Sequence, residues 1–292
     1  MARILAVGVA VIDVIMDVPA FPQEDSELRA THHLTRVGGN ATNTLTVLSQ
    51  LDHQCHWAGT LADDSSCFHI RQHFDRMGIN SSLAQVCTQS SSPLSTIIRT
   101  QKTGSRTIIH HRRLPELQAA DLLDRLDTKV YDWVHFEGRN CLQTERILKT
   151  IKQRRPDLPI SIEIEKKRPD DEKRLLQYGE PLFFSKHYVQ ERNQAQNPIQ
   201  FMHTLSQRYP GRFIICPWGE AGVYALDQES TLHHQPAWKN GECVDSVGAG
   251  DVLIAGVIHG FLKRWPVAEI LASACRLAGK KCAQEGLQNL IA

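Results

Sequence analysis

Short runs rich in β-branched residues alternate with longer amphipathic segments through most of this 292-residue chain. The strand candidates are residues 4–9, 133–136, 160–164, 182–184 and 213–216. Helical patterns such as residues 42–51 and 142–154 lie between them, and parallel strands require crossover connections of this kind. The alternation therefore predicts an α/β fold with a mainly parallel central sheet and helices on its faces.

Two regions depart from this alternation. Residues 28–36 show no helical stripe, and residues 95–100 and 106–111 have the pattern of two strands around a turn at residues 101–105. A small sheet of this kind cannot bury itself, so it should cover an active site, a second subunit or both. We therefore expect a core formed by residues 1–13, 37–93 and 114–292. A small antiparallel β-lid, formed by residues 14–36 and 94–113, would act as a dimer clasp.

Composition excludes several classes of protein. With 33 basic and 32 acidic side chains the formal net charge is +1, so no global field favours nucleic acid or an anionic membrane. The eight cysteines form no C-x-x-C pair, and Cys275 and Cys282 lack the partners of a zinc site. The apolar runs are too short to cross a bilayer. We expect a cytoplasmic protein that binds neither nucleic acid nor membrane.

The segment DSVGAGD at residues 245–251 precedes an apolar run at residues 252–258, which predicts a helix. Small residues let the backbone approach an anion closely, and the first turn of a helix offers free amide donors and a partial positive charge. A carboxylate beside such a site, here Asp251, indicates a base. A tight turn before a helix is the alternative, and this short pattern alone does not exclude it.

A second group of polar residues lies near the N-terminus. Asp13 follows the first strand, where open parallel sheets bind their ligands, although a loop residue facing water is an equal alternative. The pair Gly38 and Gly39 permits close approach to the backbone, and Asn40 and Asn43 share one face of a helix start, where they suit the hydroxyls of a polyol. For Asn40 alone, a helix N-cap is the better interpretation.

Taken together, the GGNATN motif at residues 38–43 and the DSVGAGD motif resemble the two signatures of the ribokinase (PfkB) sugar-kinase family, in the usual order and at the usual distance. Within that family the chain is most similar to the ketohexokinases, ATP-dependent fructokinases that make fructose 1-phosphate. The stretches that carry this similarity are residues 22–27, 137–140, 163–166, 185–186 and 278–282. The resemblance implies a three-layer ribokinase-like fold.

The same resemblance implies roles for individual residues. Asp251 would be the general base, and the amides of Gly248, Ala249 and Gly250 would stabilise the transferring phosphoryl group. The sugar-binding set would be Asp13, Asp25, Gly39, Asn40, Asn43 and Asp251, with Asp25 reaching the sugar of the partner subunit. The nucleotide-binding set would be Arg106, Gly219, Glu220, Ala221, Gly222, Gly248 and Gly250.

The resemblance implies that ATP and Mg²⁺ are cofactors, and it also suggests a requirement for K⁺. The magnesium ligands stay unassigned, with Glu163 and Glu165 as candidates only. We expect phosphorylation of a ketohexose such as fructose by a homodimer. One alternative is a kinase for another sugar, a nucleoside or a sugar phosphate. Arg139 and Lys166 are candidate phosphate ligands for a sugar phosphate. The other alternative is a catalytically silent sugar- or nucleotide-binding protein.

Overall fold

The computed structural model describes residues 1–100, 102, 105–193, 197–239 and 241–291. The strands are β1 (Arg3–Val7), β2 (Val11–Val18), β3 (His32–Gly38), β4 (Gln54–Ala58), β5 (Thr60–Ala62), β6 (Gln85–Cys87), β7 (Leu94–Thr100), β8 (Arg106–His111), β9 (Trp133–Glu137), β10 (Ile160–Ile164), β11 (Leu182–Phe184), β12 (Ile214–Pro217), β13 (Val223–Leu226) and β14 (Leu232–Gln235). The helices are α1 (Asn40–Gln50), α2 (Ser65–Arg76), α3 (Ala119–Leu123), α4 (Cys141–Arg154), α5 (Lys186–Asn193), α6 (Ile199–Arg208), α7 (Ala249–Leu262) and α8 (Val267–Cys282).

The central sheet has the strand order β14-β13-β12-β11-β10-β9-β1-β4. Strands β4, β1, β9, β10, β11 and β12 pair in parallel. At one edge β13 and β14 continue the sheet in antiparallel pairing, which needs only tight turns rather than crossover helices. The mainly parallel sheet predicted from the alternating pattern is confirmed.

Hydrophobic cores lie on both faces of this sheet. In β1, Ile4 and Ala6 pack into one core, together with apolar residues of α1, α2, α7 and α8. The alternate residues Leu5 and Val7 pack into the other core, with residues of α3, α4, α5 and α6. Because successive strand side chains point to opposite faces, a strand buried on both sides is apolar at every position. The result is the three-layer architecture that was expected.

A second, smaller sheet has the order β3-β2-β7-β8. The pairs β2–β3 and β7–β8 are antiparallel, whereas β2 and β7, at the centre of the sheet, pair in parallel. Strand β8 is exposed along its whole length, including Ile108 and Ile109. These strands overlap both predicted lid segments, although β2 begins at Val11 and β3 extends to Gly38. The division into a core and a lid domain stays a prediction.

Of the turn predicted at residues 101–105, Gln101, Thr103 and Gly104 lie outside the described residues. The small pair β5–β6 completes the sheets of the part of the chain that the structure describes. Among the described residues, none of the helices combines the length and the apolar character that a bilayer crossing requires.

The fold brings distant segments together at the carboxyl edge of the central sheet, where ligands bind in open α/β proteins. Strands β1, β9 and β10 end there, and α1 and α7 both begin there. Helix α7 is buried from Asp251 to Gly260 and lies directly against α8. A Cβ at Gly256 would lie only 2.8 Å from the Cα of Ala274, so glycine is needed for this close helix packing.

Candidate active site

Asp251 lies in the first turn of α7 with only 6% of its surface exposed. The side-chain amide of Asn43 in α1 donates a hydrogen bond of 2.7 Å to its Oδ2. The hydroxyl of Thr44 donates a longer bond of 3.4 Å to the main-chain oxygen of Asp251. The packing of α1 against α7 therefore orients this carboxyl group, and the two signature motifs meet at it.

The pKa of Asp251 is raised to about 8, and burial is the largest cause. The negative charges of Glu165, Glu137 and Asp13 contribute to this rise, while the hydrogen bond from Asn43 opposes it. A carboxyl group with a pKa near the working pH both accepts a proton readily and holds it well. The environment of Asp251 is therefore suited to a general base.

Asn40 donates a hydrogen bond of 3.0 Å to Oε1 of Glu163, across the site from Asp251. Burial, together with the charge of Asp251, raises the pKa of Glu163 well above its usual value. Its Oε2 atom is buried and has no hydrogen-bond partner among the described residues. The N-cap of α1 is Gly39, so the interpretation of Asn40 as an N-cap is wrong.

Asp13 lies inside strand β2 and is buried, so the alternative of a water-facing loop residue is wrong. Its neighbours across the sheet are Arg36 in β3 and Ser95 in β7. Burial raises the pKa of Asp13, while a hydrogen bond with Ser95 and the charge of Arg36 partly offset this. The carboxyl group of Asp13 is thus held between two polar neighbours on adjacent strands.

The glycine pair makes room for this arrangement. Gly39 has φ of 107°, which disfavours other residues, and a Cβ there would collide with the carbonyl oxygen of Val9. A Cβ at Gly38 would collide with the carboxyl group of Asp13. Both glycines are therefore required for the close approach of β2 to the start of α1.

Glu137, at the end of β9, links the loop after β1 to the start of α1. Its Oε1 accepts hydrogen bonds from the main-chain amides of Val9 at 3.0 Å and Ala41 at 2.8 Å. Its Oε2 accepts a bond of 3.2 Å from Arg139, which also pairs with Glu116 at 2.8 Å. The sequence pattern gave Glu137 no role, although an acidic residue at the end of an apolar strand was a signal for one.

The DSVGAGD segment is anchored by a buried charge cluster that the sequence analysis also missed. Asp245 accepts hydrogen bonds of 2.8 Å from both Arg36 in β3 and Lys281 in α8. Burial raises the pKa of Asp245, but Lys281 and Arg36 outweigh it and hold the pKa well below its usual range. Lys281, on the buried face of α8, was a recognisable signal because a fully buried lysine requires a partner.

The three small residues before Asp251 form the start of α7. Gly248 is the N-cap with φ of 87°, a conformation that favours glycine. Ala249 and Gly250 follow in the first turn, where main-chain amides have no acceptor within the helix. The amide of Ala249 donates only a long bond of 3.3 Å, to the oxygen of Ser246. These amides therefore stand beside Asp251 as candidate anion donors.

A cavity of about 780 Å³ lies next to this helix start, a size that suits a nucleotide. Six of the predicted residues line it, namely Arg106, Gly219, Glu220, Gly222, Ala249 and Gly250. Arg106 also donates a bond of 3.3 Å to the hydroxyl of Ser246. Ala221 belongs to the same turn as Gly219, but neither it nor Gly248 lines the cavity.

Of the residues predicted to bind sugar, Asp25 is the one that a single chain does not place beside Asp251. It is exposed, in the segment between β2 and β3, with φ of 54°. Within the described ranges, no group of three or more His, Cys, Asp or Glu side chains has the arrangement of a metal site.

The sequence model of the pfkB family of carbohydrate kinases matches residues 1–292, the whole chain. The chain belongs to the pfkB family of carbohydrate kinases. This pfkB kinase is 33% identical over 297 residues to the ketohexokinase of Mus musculus, with 99% of each chain covered. The family that the two motifs predicted is therefore confirmed.

Solved structures of ribokinases share the fold of this pfkB kinase. The ribokinase of Giardia lamblia superimposes with a TM-score of 0.85 at 16% identity, covering 100% of this chain and 96% of the other. The Arabidopsis thaliana ribokinase complexed with ribose and ATP gives 0.81 at 16% identity, covering 98% and 94%. At this identity the likeness concerns the fold, and the expected ribokinase-like architecture is confirmed.

Proposed function

We propose that this protein transfers the γ-phosphoryl group of ATP to a hydroxyl of a ketohexose, converting fructose to fructose 1-phosphate. The observation that carries the proposal is the position of Asp251 between two half-sites. Asn43 holds its carboxyl group on the side of the proposed sugar site. On the other side, Ala249 and Gly250 of the same helical turn line the large cavity.

The proposed sugar site consists of Asp13, Gly39, Asn40 and Asn43 around Asp251. Carboxylates accept hydrogen bonds from sugar hydroxyls, and the two amides offer both donors and acceptors. The buried Glu163 orients Asn40, so its amide is held in one position rather than free to rotate. A preorganised polar pocket of this kind favours an uncharged polyol.

The large cavity is proposed to bind ATP, with the turn at Gly219–Ala221 and Gly222 beside the adenosine and Arg106 near the phosphates. A guanidinium group suits phosphate oxygens, and the lid strand β8 places it at the cavity. Mg²⁺ would neutralise the triphosphate, and such an ion needs only one or two carboxylates besides phosphate and water. The unpartnered Oε2 of Glu163 fits this requirement, whereas a K⁺ requirement stays a prediction.

In the proposed reaction, Asp251 accepts the proton of the attacking hydroxyl as the new bond from oxygen to the γ-phosphorus forms. The bond from that phosphorus to the bridging oxygen breaks, and ADP leaves with its electron pair. The amides of Ala249 and Gly250 stabilise charge on the transferring group. Phosphoryl transfer depends mainly on positioning and electrostatic stabilisation, which these groups supply.

The two cationic side chains that could bind the phosphate of a phosphorylated sugar already pair with acidic residues. Arg139 pairs with Glu116 at 2.8 Å and with Glu137 at 3.2 Å. Lys166 is about half exposed and lies 3.6 Å from Glu165. Neither is a free buried cation that would compensate a second phosphate group, and this favours an unphosphorylated sugar. The similarity to ketohexokinase favours fructose among such sugars.

An assay of ATP consumption across ketohexoses, aldoses, ribose, adenosine and fructose phosphates tests the substrate, with ³¹P NMR identifying the product. We expect fructose to give the highest kcat/KM and a primary phosphate ester at C1. Turnover of only a phosphorylated sugar or a nucleoside would overturn the assignment. Calorimetric binding of sugar and nucleotide without any product would instead indicate a silent binding protein.

A further inference from the structure

Two thiols that the proposed mechanism does not use lie in the wall of the large cavity, Cys243 and Cys282. Cys243 is exposed, and Cys282 is the partly buried last residue of α8. Burial raises the pKa of the Cys282 thiol, and the nearby Cys243 thiol adds to this effect. The two side chains are therefore neighbours, although they are 39 positions apart in the sequence.

The backbone holds these neighbours in place. The main-chain amide of Val244 donates a hydrogen bond of 2.7 Å to the carbonyl oxygen of Cys282. The amide of Asp245 donates to the same oxygen at 3.2 Å. Cys243 is bonded directly to Val244, whose amide is hydrogen-bonded to Cys282, and this places the two cysteines close together, as a disulfide requires.

The other cysteines do not offer such a pair. Cys275 lines the same cavity, but it is buried and its thiol lies 3.9 Å from the carbonyl oxygen of Gln235. Cys55, Cys67, Cys141 and Cys216 are buried, and Cys87 is only partly exposed. Exposure and thiolate character decide which thiols react, so Cys243 is the accessible starting point.

We propose that Cys243 and Cys282 form a reversible disulfide, a redox modification site in the cavity wall. The expected effect on ATP rests on the proposed function, because it requires the cavity to be the nucleotide site. Cys243 lies two positions before Asp245, and Cys282 follows Lys281, so the new bond would tie together both sides of the Asp245–Lys281 anchor. The loop that carries Ser246 and the start of α7 would then lose its freedom to adjust around phosphates.

The oxidant is a small-molecule disulfide. The thiolate of Cys243 attacks one sulfur of that disulfide, forming a mixed disulfide and releasing one small thiol. Cys282 then loses its proton and attacks the Cys243 sulfur, releasing the second small thiol. The protein loses two protons and two electrons, and the small disulfide takes them up as it is reduced to two thiols. Excess dithiothreitol reverses the reaction.

The test is peptide mapping of the full chain after incubation with oxidised glutathione, digested without reduction and analysed by mass spectrometry. We expect one linked pair of peptides that contains Cys243 and Cys282 and disappears after dithiothreitol. Glutathione attached to Cys243 without the internal link, or a link from Cys243 to Cys275, would overturn the proposal. This measurement needs no variant and no kinase activity.

A second measurement compares oxidised with reduced activity for each variant separately. Wild type and the control Cys87→Ser should lose kcat/KM for ATP on oxidation, by about 10²-fold if the loop moves by about 1 Å. For Cys243→Ser and Cys282→Ser, the ratio of kcat/KM for ATP in the oxidised protein to that in the reduced protein should stay near one. Equal loss in all four proteins would overturn the proposal. If the link forms but a fluorescent ATP analogue binds unchanged, the modification site stands and the nucleotide-site assignment fails.

Discussion

At the scale of single residues, Asp251 shows how the fold sets the chemistry of one carboxyl group. Its pKa is raised to about 8, mainly by burial and also by nearby acidic residues. The unfolded chain has no such burial, so the folded state retains a proton that the unfolded state releases over the range from about pH 4 to pH 8. The stability contribution of this group therefore falls as pH rises through that window.

Asp251→Asn separates the catalytic from the structural effect of this residue. We expect kcat to fall by about 10²–10⁴-fold, as is typical when a general base is removed, while ATP still binds. Because asparagine cannot ionise, the variant should melt at a higher temperature than wild type at pH 8 and approach it at pH 4. Steady-state kinetics and thermal melts at both pH values check this. Near-normal turnover would contradict the role as a base.

The pH profile of the wild-type enzyme supplies an independent check. Asp251 must be ionised to accept a proton, so kcat/KM for the sugar should decline as pH falls below about 8. The decline should approach about tenfold per pH unit well below that value, where the ionised fraction is small. A profile that stays flat from pH 6 to pH 9 would show that this group does not control the reaction.

At the scale of elements, the start of α7 is held by two neighbours that lie far away in the sequence. Arg36 reaches Asp245 from β3, and Lys281 reaches it from α8. Lys281 also donates a bond of 2.7 Å to the main-chain oxygen of Asp245. The position of the loop before α7 therefore depends both on the second sheet and on α8.

Lys281→Met tests this anchor. It removes one of two cations from a buried carboxylate, and breaking a buried ion pair typically costs about 3–5 kcal/mol of unfolding free energy. The matched control is Lys280→Met, its neighbour on α8, whose ammonium makes only a bond of 3.4 Å to the oxygen of Leu290. Urea denaturation should show a clearly larger loss for Lys281→Met. Equal losses would mean that the cluster does not anchor the loop.

At the scale of the whole molecule, the second sheet has an exposed edge strand, β8, with apolar side chains on both of its faces. Ile108 and Ile109 in β8 are 52% and 59% exposed. An exposed edge strand of this kind is a ready pairing surface. The exposed position of Asp25 also leaves it free to reach a second subunit. A dimer through these sheets would cover the apolar surface and complete the proposed sugar site.

Light scattering after size-exclusion chromatography should therefore give twice the chain mass of 32.9 kDa. Ile109→Lys should shift the protein towards monomer and raise KM for the sugar, because Asp25 of a partner is lost. Val130→Lys, at an exposed position outside the second sheet, is the control and should change neither. A wild-type monomer would contradict the dimer, and unchanged sugar KM in a monomeric Ile109→Lys would contradict the role of Asp25.

Local pattern was enough to predict the mainly parallel character of the central sheet and five of its strands, because strand and helix periodicities are properties of neighbouring residues; β4, β13 and β14 were not predicted. It was also enough to find the two motifs, whose glycines and polar residues are contiguous. The parallel pairing of β2 with β7 was not predictable in this way. These strands come from segments about 80 positions apart, and nothing local to either specifies the direction of the other.

Motifs and local pattern were enough to predict the α/β class, the family and the two segments that meet at Asp251. How the side chains around Asp251 are held, with Glu137 among them, followed only from the folded structure. Asn43 and Asp251 are 208 positions apart, and Arg36 and Asp245 are 209 apart. Glu137 is 96 positions from Ala41. Hydrogen bonds between residues so far apart in sequence form only after the chain has folded. The burial that raises the pKa values of the acidic groups also depends on folding, because it requires distant segments to exclude water together.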